Sequence, residues 1–231
     1  MKKLLLASTS KLYGQLYLEY LVDTLPEFFG KNTTVTFIPF ARPGGISHDA
    51  YTDIARKGLA QAGLKVVGVH QGNVAENIRN AEAFFTGGGN TFVLTKTLHE
   101  NAWMDLLREK VLAGTPYMGS SAGTNLAGIS VGTTNDMPIV HPPSLNALNL
   151  VNFNINPHYL DPLPDSTHMG ETRETRINEF HCFNTQPVLG LREGSWLRVN
   201  GDEVRLEGLP TARLFRANQQ PVEVSPGILS L

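Results

Sequence analysis

The chain has 231 residues, of which 41% are hydrophobic and 17% are charged, a composition typical of a compact globular protein and not of a disordered one. Its formal net charge of −2 and the absence of any run of Lys or Arg argue against a nucleic-acid-binding protein. No segment of the sequence is apolar over the length that a bilayer requires. The single cysteine, Cys182, excludes an internal disulfide and favours a reducing, cytoplasmic location.

The first half of the chain alternates short apolar runs with longer amphipathic ones. The apolar runs at 4–7, 35–38, 66–69 and 83–86 have the length of strands buried on both faces. The run at 4–7 is also too short to be the core of a signal peptide. Helices are predicted around 14–25, 48–62, 74–81 and 91–112. This alternation predicts a parallel sheet flanked by helices, in which ligands bind beyond the carboxyl ends of the strands.

The character of the sequence changes after residue 186. Short strands are predicted at 187–191, 195–199, 203–206, 212–215 and 221–224, separated by turns such as Asn200-Gly201. This spacing predicts antiparallel hairpins that pack on one edge of the main sheet. Because no linker or repeat is visible, we predict a single domain over 1–231, with an α/β core at 1–186 and a β-rich extension at 187–231.

A Gly-x-Ser-x-Gly motif follows the apolar segment that ends at residue 118. In this register Ser121 has a glycine two residues away on each side, Gly119 and Gly123, whereas Ser120 does not. Such a motif between a strand and a helix places its serine on a tight, exposed turn, where the hydroxyl can attack a carbonyl. The motif alone is weak evidence, since similar loops often only turn the chain, but its context favours Ser121 as a nucleophile.

A serine nucleophile needs a base, usually a histidine oriented by a carboxylate. His158 follows a strand-like run at 151–155 and a proline that fixes the backbone where the strand ends. His70, which also follows a predicted strand, is its main rival. Asp136 is the only Asp between Ser121 and His158, which makes it the candidate orienting acid; alternatively, it only starts a turn before a proline.

The run Gly87-Gly88-Gly89-Asn90 lies after a predicted strand and before a predicted helix. In this position backbone N–H groups can point into a cleft and hold a phosphate or an oxyanion. The loop lacks the Gly-x-Gly-x-x-Gly pattern of dinucleotide-binding proteins and the Gly-Lys-Ser/Thr of a P-loop. An amide of Gly88 or Gly89, together with that of Ala122, would form an oxyanion hole with two donors.

Five blocks of sequence then carry a more specific resemblance. They lie at 87–91, 119–126, 133–140, 155–158 and 170–174, and in this order they resemble the blocks of peptidase E, the α-aspartyl dipeptidase family of serine peptidases. The resemblance covers nearly the whole chain. It implies a flavodoxin-like scaffold of the class I glutamine amidotransferase type, and hydrolysis of dipeptides with an N-terminal aspartate. No cofactor and no metal are expected.

The resemblance also implies a set of site residues. For Arg173 the physical case is sound, because a guanidinium fork binds a carboxylate bidentately. Glu and Arg alternate on its predicted helix, however, and without the resemblance this pattern favours a surface ion pair. The set comprises Ser121 as nucleophile, His158 as base and acid, Asp136 as orienting carboxylate, the backbone N–H groups of Gly89 and Ala122 as oxyanion hole, and Arg173, Gly88 and Asn90 as substrate-binding residues.

Several alternatives stay open at this point. A related peptidase could act on a larger aspartate-containing polymer, as cyanophycinases do, and a non-catalytic amidotransferase-like binding domain or an esterase are further candidates. A glutamine amidotransferase would need a cysteine at Ser121. Ser120 stands where the family often has an aromatic residue, and His168 could line the pocket or lie in a loop. We expect a small-molecule substrate, no nucleic-acid or membrane partner and a homodimer; the group that binds the free α-amine is not identified.

Overall fold

The computed structural model describes residues 1–162, 167 and 169–231, so that His168 lies outside the described residues. Twelve strands and seven α-helices are described. The strands are β1 Lys3–Ala7, β2 Thr34–Ile38, β3 Lys65–Gly68, β4 Phe84–Thr86, β5 Tyr117–Ser120, β6 Asn154–Pro157, β7 Val188–Leu191, β8 Ser195–Asn200, β9 Glu203–Gly208, β10 Ala212–Phe215, β11 Val222–Val224 and β12 Gly227–Ile228. The α-helices are α1 Leu25–Phe29, α2 His48–Ala60, α3 Val74–Asn80, α4 Thr91–Glu100, α5 Trp103–Leu112, α6 Ala122–Asn125 and α7 Arg173–Phe180.

The main sheet has eight strands in the order β12-β9-β8-β1-β5-β4-β2-β3. Its five strands from β1 to β3 are mutually parallel, which confirms the predicted parallel α/β sheet. Strand β1 lies in the middle of it, and its alternating side chains enter two different clusters of buried residues. Leu4 and Leu6 pack in one cluster, whereas Leu5 and Ala7 pack in the other. The sheet therefore has a hydrophobic core on both faces.

The predicted placement of the C-terminal strands was wrong in part. Strands β8 and β9 extend the main sheet from β1 in antiparallel fashion. By contrast, β7, β10 and β11 form a second, four-stranded sheet with β6. Within it β6 and β7 are parallel, so they need the crossover that contains α7 and cannot be a hairpin.

Two of the predicted helices are interrupted. The segment 14–25 contains only a 3-10 helix, Glu19–Leu21, before α1 begins, and Leu18 directly before it has the left-handed conformation with φ 59°. The segment 91–112 is divided into α4 and α5 because Ala102 is also left-handed, with φ 56°. Left-handed residues cannot continue a right-handed helix. Among the described residues, none of the helices combines the length and apolarity that a membrane span requires.

Candidate active site

The candidate nucleophile lies on a sharp turn between β5 and α6. Ser121 has φ 54° and ψ −113°, a strained conformation for a residue with a side chain. A Cβ atom on Gly119 would lie 2.5 Å from the carbonyl oxygen of Gly123, and one on Gly123 would lie 2.2 Å from that of Thr86. The turn therefore requires both glycines of the motif.

The end of β1 holds this turn in place. The carbonyl oxygen of Ala7 accepts hydrogen bonds from the Ser121 N–H (3.2 Å) and from the Thr124 hydroxyl (2.6 Å). The buried Tyr117 hydroxyl donates to the Gly123 carbonyl at 2.7 Å. The backbone on both sides of Ser121 is thus fixed by buried bonds, so that its hydroxyl has a defined position at the carboxyl edge of the sheet.

Ser121 and His158 are brought together, as predicted. The Ser121 Oγ lies 2.9 Å from Nε2 of His158, and Nδ1 of His158 lies 2.6 Å from Oε1 of Glu193. A carboxylate at Nδ1 fixes the tautomer, so Nδ1–H donates to Glu193 and Nε2 accepts from the serine hydroxyl. The three side chains form a continuous Ser-His-Glu hydrogen-bonded chain, the arrangement that activates a serine nucleophile.

Ser8, the first residue after β1, positions the histidine. Its fully buried hydroxyl accepts from the His158 N–H at 2.9 Å and donates to the Leu191 carbonyl at 2.7 Å. His158 itself has φ 54°, and the preceding carbonyl, that of Pro157, accepts from the Asn135 amide at 2.7 Å. These contacts hold the strained backbone of His158 between the two sheets.

The predicted role of Asp136 as the acid that orients His158 disagrees with this geometry. Oδ2 of Asp136 accepts from the Thr91 N–H at 2.7 Å and from the Thr134 hydroxyl at 3.1 Å. The carboxylate thus lies at the N-terminus of α4, where the helix dipole favours a negative charge, and Glu193 occupies the position beside Nδ1. The rival histidine, His70, pairs with Asp49 at 2.9 Å instead.

Glu193 is the site residue that the sequence interpretation missed. It lies two residues beyond β7, directly before Gly194, which has φ 87°. Its position therefore resembles those of Ser121 and His158, each a polar residue that follows a buried strand. This signal is present in the sequence, but it lies beyond the segment from Ser121 to His158 in which Asp136 is the only Asp.

The glycine loop after β4 lies against the nucleophile. A Cβ atom on Gly88 would be 2.9 Å from the Cβ of Ser121, and one on Gly89, at φ 142°, would be 2.2 Å from the Ala41 carbonyl oxygen. Within the described part of the chain, neither the Gly89 N–H nor the Ala122 N–H donates a hydrogen bond. Two unused amides beside a serine nucleophile are suited to stabilise a negatively charged oxygen.

Similarity to known proteins identifies the family of this chain. The model of peptidase family S51 matches residues 4–207. The chain belongs to peptidase family S51. It is 51% identical to "Peptidase E" of Streptomyces coelicolor over 97% of this chain and 91% of that protein. It is 48% identical to "Probable alpha-aspartyl dipeptidase" of Drosophila melanogaster, over 97% and 94% of the two chains.

Among solved structures, a peptidase from an acI-B1 actinobacterium superposes on this S51 protein with a TM-score of 0.72. The match covers 99% of this chain and 96% of the other, at 16% sequence identity. Such a low identity shows only that the fold is shared. The family resemblance predicted from the five sequence blocks is confirmed by the family model and the relatives.

Arg173 begins α7 in this S51 protein and is half-buried. Partial burial lowers the pKa of its guanidinium, Arg176 lowers the pKa further, and Asp136 acts in the opposite direction. The neighbouring acids are paired elsewhere, Glu171 with Arg176 and Glu174 with Arg213. Among the described residues Arg173 itself forms no ion pair.

Asn90 has a structural place in this fold. Its side-chain oxygen accepts from the Val93 N–H at 3.1 Å and caps α4, and its amide nitrogen donates to the Met137 carbonyl at 2.9 Å. The oxygen and the nitrogen of the side-chain amide are therefore both bonded within the protein. The structure does not bring them to the cleft, although Asn90 was predicted to bind the substrate. The contact instead ties the segment around Asp136 to the glycine loop.

A small cleft in this S51 protein joins the reactive pair to Asp136. Among the described residues, no group of three or more His, Cys, Asp or Glu side chains is arranged to hold a metal ion. The cleft is lined by Thr91, Ser121, Ala122, Asn125, Thr134, Asn135, Asp136, Pro157 and His158.

Proposed function

We propose that this protein is a serine dipeptidase that hydrolyses dipeptides with an N-terminal aspartate. The observation that carries the proposal is the Ser121–His158–Glu193 chain, with contacts of 2.9 and 2.6 Å, beside two unused backbone amides. The names of the relatives, peptidase E and alpha-aspartyl dipeptidase, supply the substrate class.

The mechanism follows from this geometry. Nε2 of His158 takes the proton from Ser121 as Oγ attacks the scissile carbonyl, and Glu193 stabilises the imidazolium that forms. The amides of Gly89 and Ala122 stabilise the oxyanion, a contact whose loss typically costs about 2.7–4 kcal/mol of barrier per donor. The imidazolium then gives its proton to the leaving amine, and an aspartyl ester on Ser121 remains. Water, activated by the same histidine, releases aspartate and restores the serine.

An aspartyl residue carries a negative β-carboxylate and a positive α-ammonium group on adjacent carbons. Its recognition therefore needs a positive and a negative group of the protein that lie close together. Arg173 supplies a half-buried guanidinium that is electrostatically coupled to Asp136. Asp136 lines the cleft beside Ser121, and within the described residues its Oδ1 makes no hydrogen bond. We assign Arg173 to the substrate carboxylate, where a planar fork binds best, and Asp136 to the substrate ammonium.

The proposal is tested with Asp-Leu, Asn-Leu, Glu-Leu and N-acetyl-Asp-Leu as substrates, in the presence of EDTA. We expect fast hydrolysis of Asp-Leu only. Asn-Leu lacks the side-chain charge, Glu-Leu has a longer side chain, and N-acetyl-Asp-Leu lacks the free amine. Cleavage of N-acetyl-Asp-Leu would instead indicate an open cleft and a polymer substrate. If none of the four peptides is cleaved, the proposed function is wrong.

Two variants serve as controls for this panel. Ser121→Ala should keep the fold, as judged by circular dichroism, and lose all turnover, because the hydroxyl that contacts Nε2 of His158 belongs to Ser121. Arg173→Ala should lower kcat/KM for Asp-Leu by about 100-fold, through loss of a charge-assisted pair, and leave Asn-Leu unchanged. An unchanged kcat/KM for Asp-Leu would return Arg173 to a surface role.

A cytoplasmic location and a homodimer stay proposals. The location is supported by the use of a single cysteine, Cys182, which is exposed and therefore suited to a reducing compartment. Light scattering coupled to size-exclusion chromatography measures the oligomeric state directly, and a mass of about 25.3 kDa would contradict the homodimer.

A further inference from the structure

The carbonyl group of Gly88 is held from outside the cleft by two side chains. The Tyr51 hydroxyl donates to it at 2.8 Å, and Nε of Arg42 lies 3.4 Å from the same oxygen. Tyr51 is only 1% exposed, and its ring packs edge-on against Phe37 with a centroid distance of 4.9 Å. The guanidinium of Arg42 lies over the same ring at 4.8 Å. The hydroxyl of Tyr51 therefore has a fixed position under the glycine loop.

The orientation of this carbonyl determines the orientation of an amide. The C=O of Gly88 and the N–H of Gly89 belong to one trans peptide unit, in which the two groups point in opposite directions. With the oxygen bonded to Tyr51, the N–H points away from Tyr51. Gly88 itself lies against Ser121, as the 2.9 Å approach of its added Cβ to the Ser121 Cβ shows.

We propose that Tyr51 is a positioning residue that sets the oxyanion hole by holding the Gly88 carbonyl, and thereby the Gly89 N–H, in one orientation. The inference rests on the proposed function, since it assigns that N–H to the oxyanion of the peptidase reaction. It adds a residue from α2 that lies outside the cleft and does not touch the substrate.

The remainder of the loop explains why a restraint is needed here. The loop is anchored at its two ends, by the Gly87 N–H to the Ile38 carbonyl at 3.4 Å and by the Asn90 N–H to the Ala41 carbonyl at 2.6 Å. Between these anchors the chain consists of glycines, which rotate more freely than other residues. Burial raises the pKa of the Tyr51 hydroxyl, so it remains a protonated donor at neutral pH. Without this donor, the longer 3.4 Å contact from Arg42 is the side-chain restraint that remains on the Gly88 carbonyl.

The test is Tyr51→Phe, which removes the hydroxyl and keeps the ring in place against Phe37. Loss of a complete oxyanion donor costs about 100- to 1,000-fold in kcat. In Tyr51→Phe the Gly89 N–H is misoriented but still present, so we expect kcat for Asp-Leu to fall by about 10- to 100-fold. KM should stay within twofold of the wild-type value. The control is Tyr13→Phe, which removes a fully exposed hydroxyl without a hydrogen-bond partner among the described residues. This control should retain the wild-type kcat.

A second measurement separates positioning from general damage. Boroaspartate, with B(OH)₂ in place of the scissile carbonyl, forms a tetrahedral adduct with a serine and so places an oxygen in the hole. β-Alanine carries the ammonium and side-chain carboxylate of an aspartyl residue but has no group at the position of the scissile carbonyl. In Tyr51→Phe, the affinity for boroaspartate should fall by the same factor as kcat, with the affinity for β-alanine unchanged. The ratio of the two affinities does not depend on the fraction of the variant that is folded.

Two results would overturn the inference. One is an unchanged kcat and boroaspartate affinity in Tyr51→Phe, and the other is an equal loss of affinity for β-alanine and boroaspartate. Failure of the proposed function is recognised separately, because the wild-type protein would then not cleave Asp-Leu. In that case the turnover of p-nitrophenyl acetate by Ser121 still compares Tyr51→Phe with Tyr13→Phe, and equal rates would contradict the inference.

Discussion

Two carboxylates near the reactive serine occupy positions that call for different chemistry. Glu193 lies 2.6 Å from Nδ1 of His158, where it can stabilise the imidazolium during proton transfer. Asp136 has one oxygen fixed at the N-terminus of α4 and lines the cleft beside Ser121. We therefore expect the first carboxylate to affect the rate with every substrate, and the second to affect only substrates that carry a positive charge.

This division predicts opposite behaviour of two isosteric variants. The substrates are Asp-Leu and succinyl-Leu, which is Asp-Leu without its α-amine. Glu193→Gln should lower kcat for both by about 1,000-fold or more, since an amide cannot stabilise the imidazolium, and preserve the preference for Asp-Leu. Asp136→Asn should lower kcat/KM by about 10- to 100-fold for Asp-Leu only, which removes the preference. Steady-state kinetics of the two variants with both substrates tests this division. An equal loss of kcat/KM for Asp-Leu and succinyl-Leu in Asp136→Asn would indicate that Asp136, and not only Glu193, supports His158.

The residues of the site differ in how far the sequence could predict them. Ser121 is predicted because the two glycines around it form a local sequence motif, although only the contact at Gly119 is local and the one at Gly123 is with Thr86 of β4. His158 is predicted because Pro157 fixes the backbone before it. Glu193 depends on the parallel pairing of β6 with β7, which brings Leu191 opposite Pro157. Nothing local in the sequence encodes which strands pair, so the partner of His158 could not be chosen.

At the level of elements, the strands were predicted better than the helices. The buried strands have continuous apolar runs, which are a local property. The predicted helix at 14–25 also has apolar residues at helical spacing, such as Leu18, Leu21 and Leu25, but it is interrupted at left-handed Leu18. In the same way Ala102 divides the predicted helix at 91–112. A left-handed residue that is not glycine has no distinctive sequence signal, so such breaks are determined by tertiary packing.

The break between α4 and α5 offers a test by stability. Ala102 is exposed and has φ 56° and ψ 30°, a conformation that costs a residue with a Cβ about 1–2 kcal/mol, part of which the flexibility of glycine in the unfolded chain offsets. Ala102→Gly should therefore raise the free energy of unfolding by about 0.5–1 kcal/mol, or Tm by roughly 1–4 °C. The control is Ala113→Gly, at an exposed right-handed position with φ −70°, which should not stabilise. Equal changes in both variants would show that φ at Ala102 carries no cost.

At the scale of the whole molecule, a charged network joins the second sheet to the turn that carries Glu193. Arg192 forms ion pairs with Asp161 at 2.7 Å and with Glu223 of β11 at 2.9 Å, and Glu223 also pairs with Arg213 of β10 at 3.0 Å. The hydrogen bond from Arg192 is the main reason that the pKa of Glu223 falls to about 2. The network thus anchors the residue next to Glu193.

The lowered pKa of Glu223 predicts a loss of stability in acid. Its ordinary value is 4.5, so its contribution is complete above that pH and disappears as the pH falls from about 4.5 to about 2. Urea unfolding of Glu223→Gln and of the wild-type protein should therefore differ at pH 7 and converge towards pH 2. The control is Glu203→Gln, an exposed site without an ion pair among the described residues, which should follow the wild type throughout. A constant difference between Glu223→Gln and wild type at all pH values would contradict the linkage.

The central position of β1 has a consequence for the order in which the enzyme is made. Residues 3–7 are synthesised before both strands that flank them, and they gain one neighbour only with Tyr117–Ser120 and the other only with Trp196–Asn200. Until then this apolar strand presents an open edge to other chains on the ribosome, which favours chaperone binding or misassembly. The segment Trp196–Asn200 follows Glu193 closely in the sequence. A nascent chain therefore acquires the acid that contacts His158 and the second neighbour of β1 within about ten residues of translation. We expect hydrolytic activity only after β8 has paired with β1.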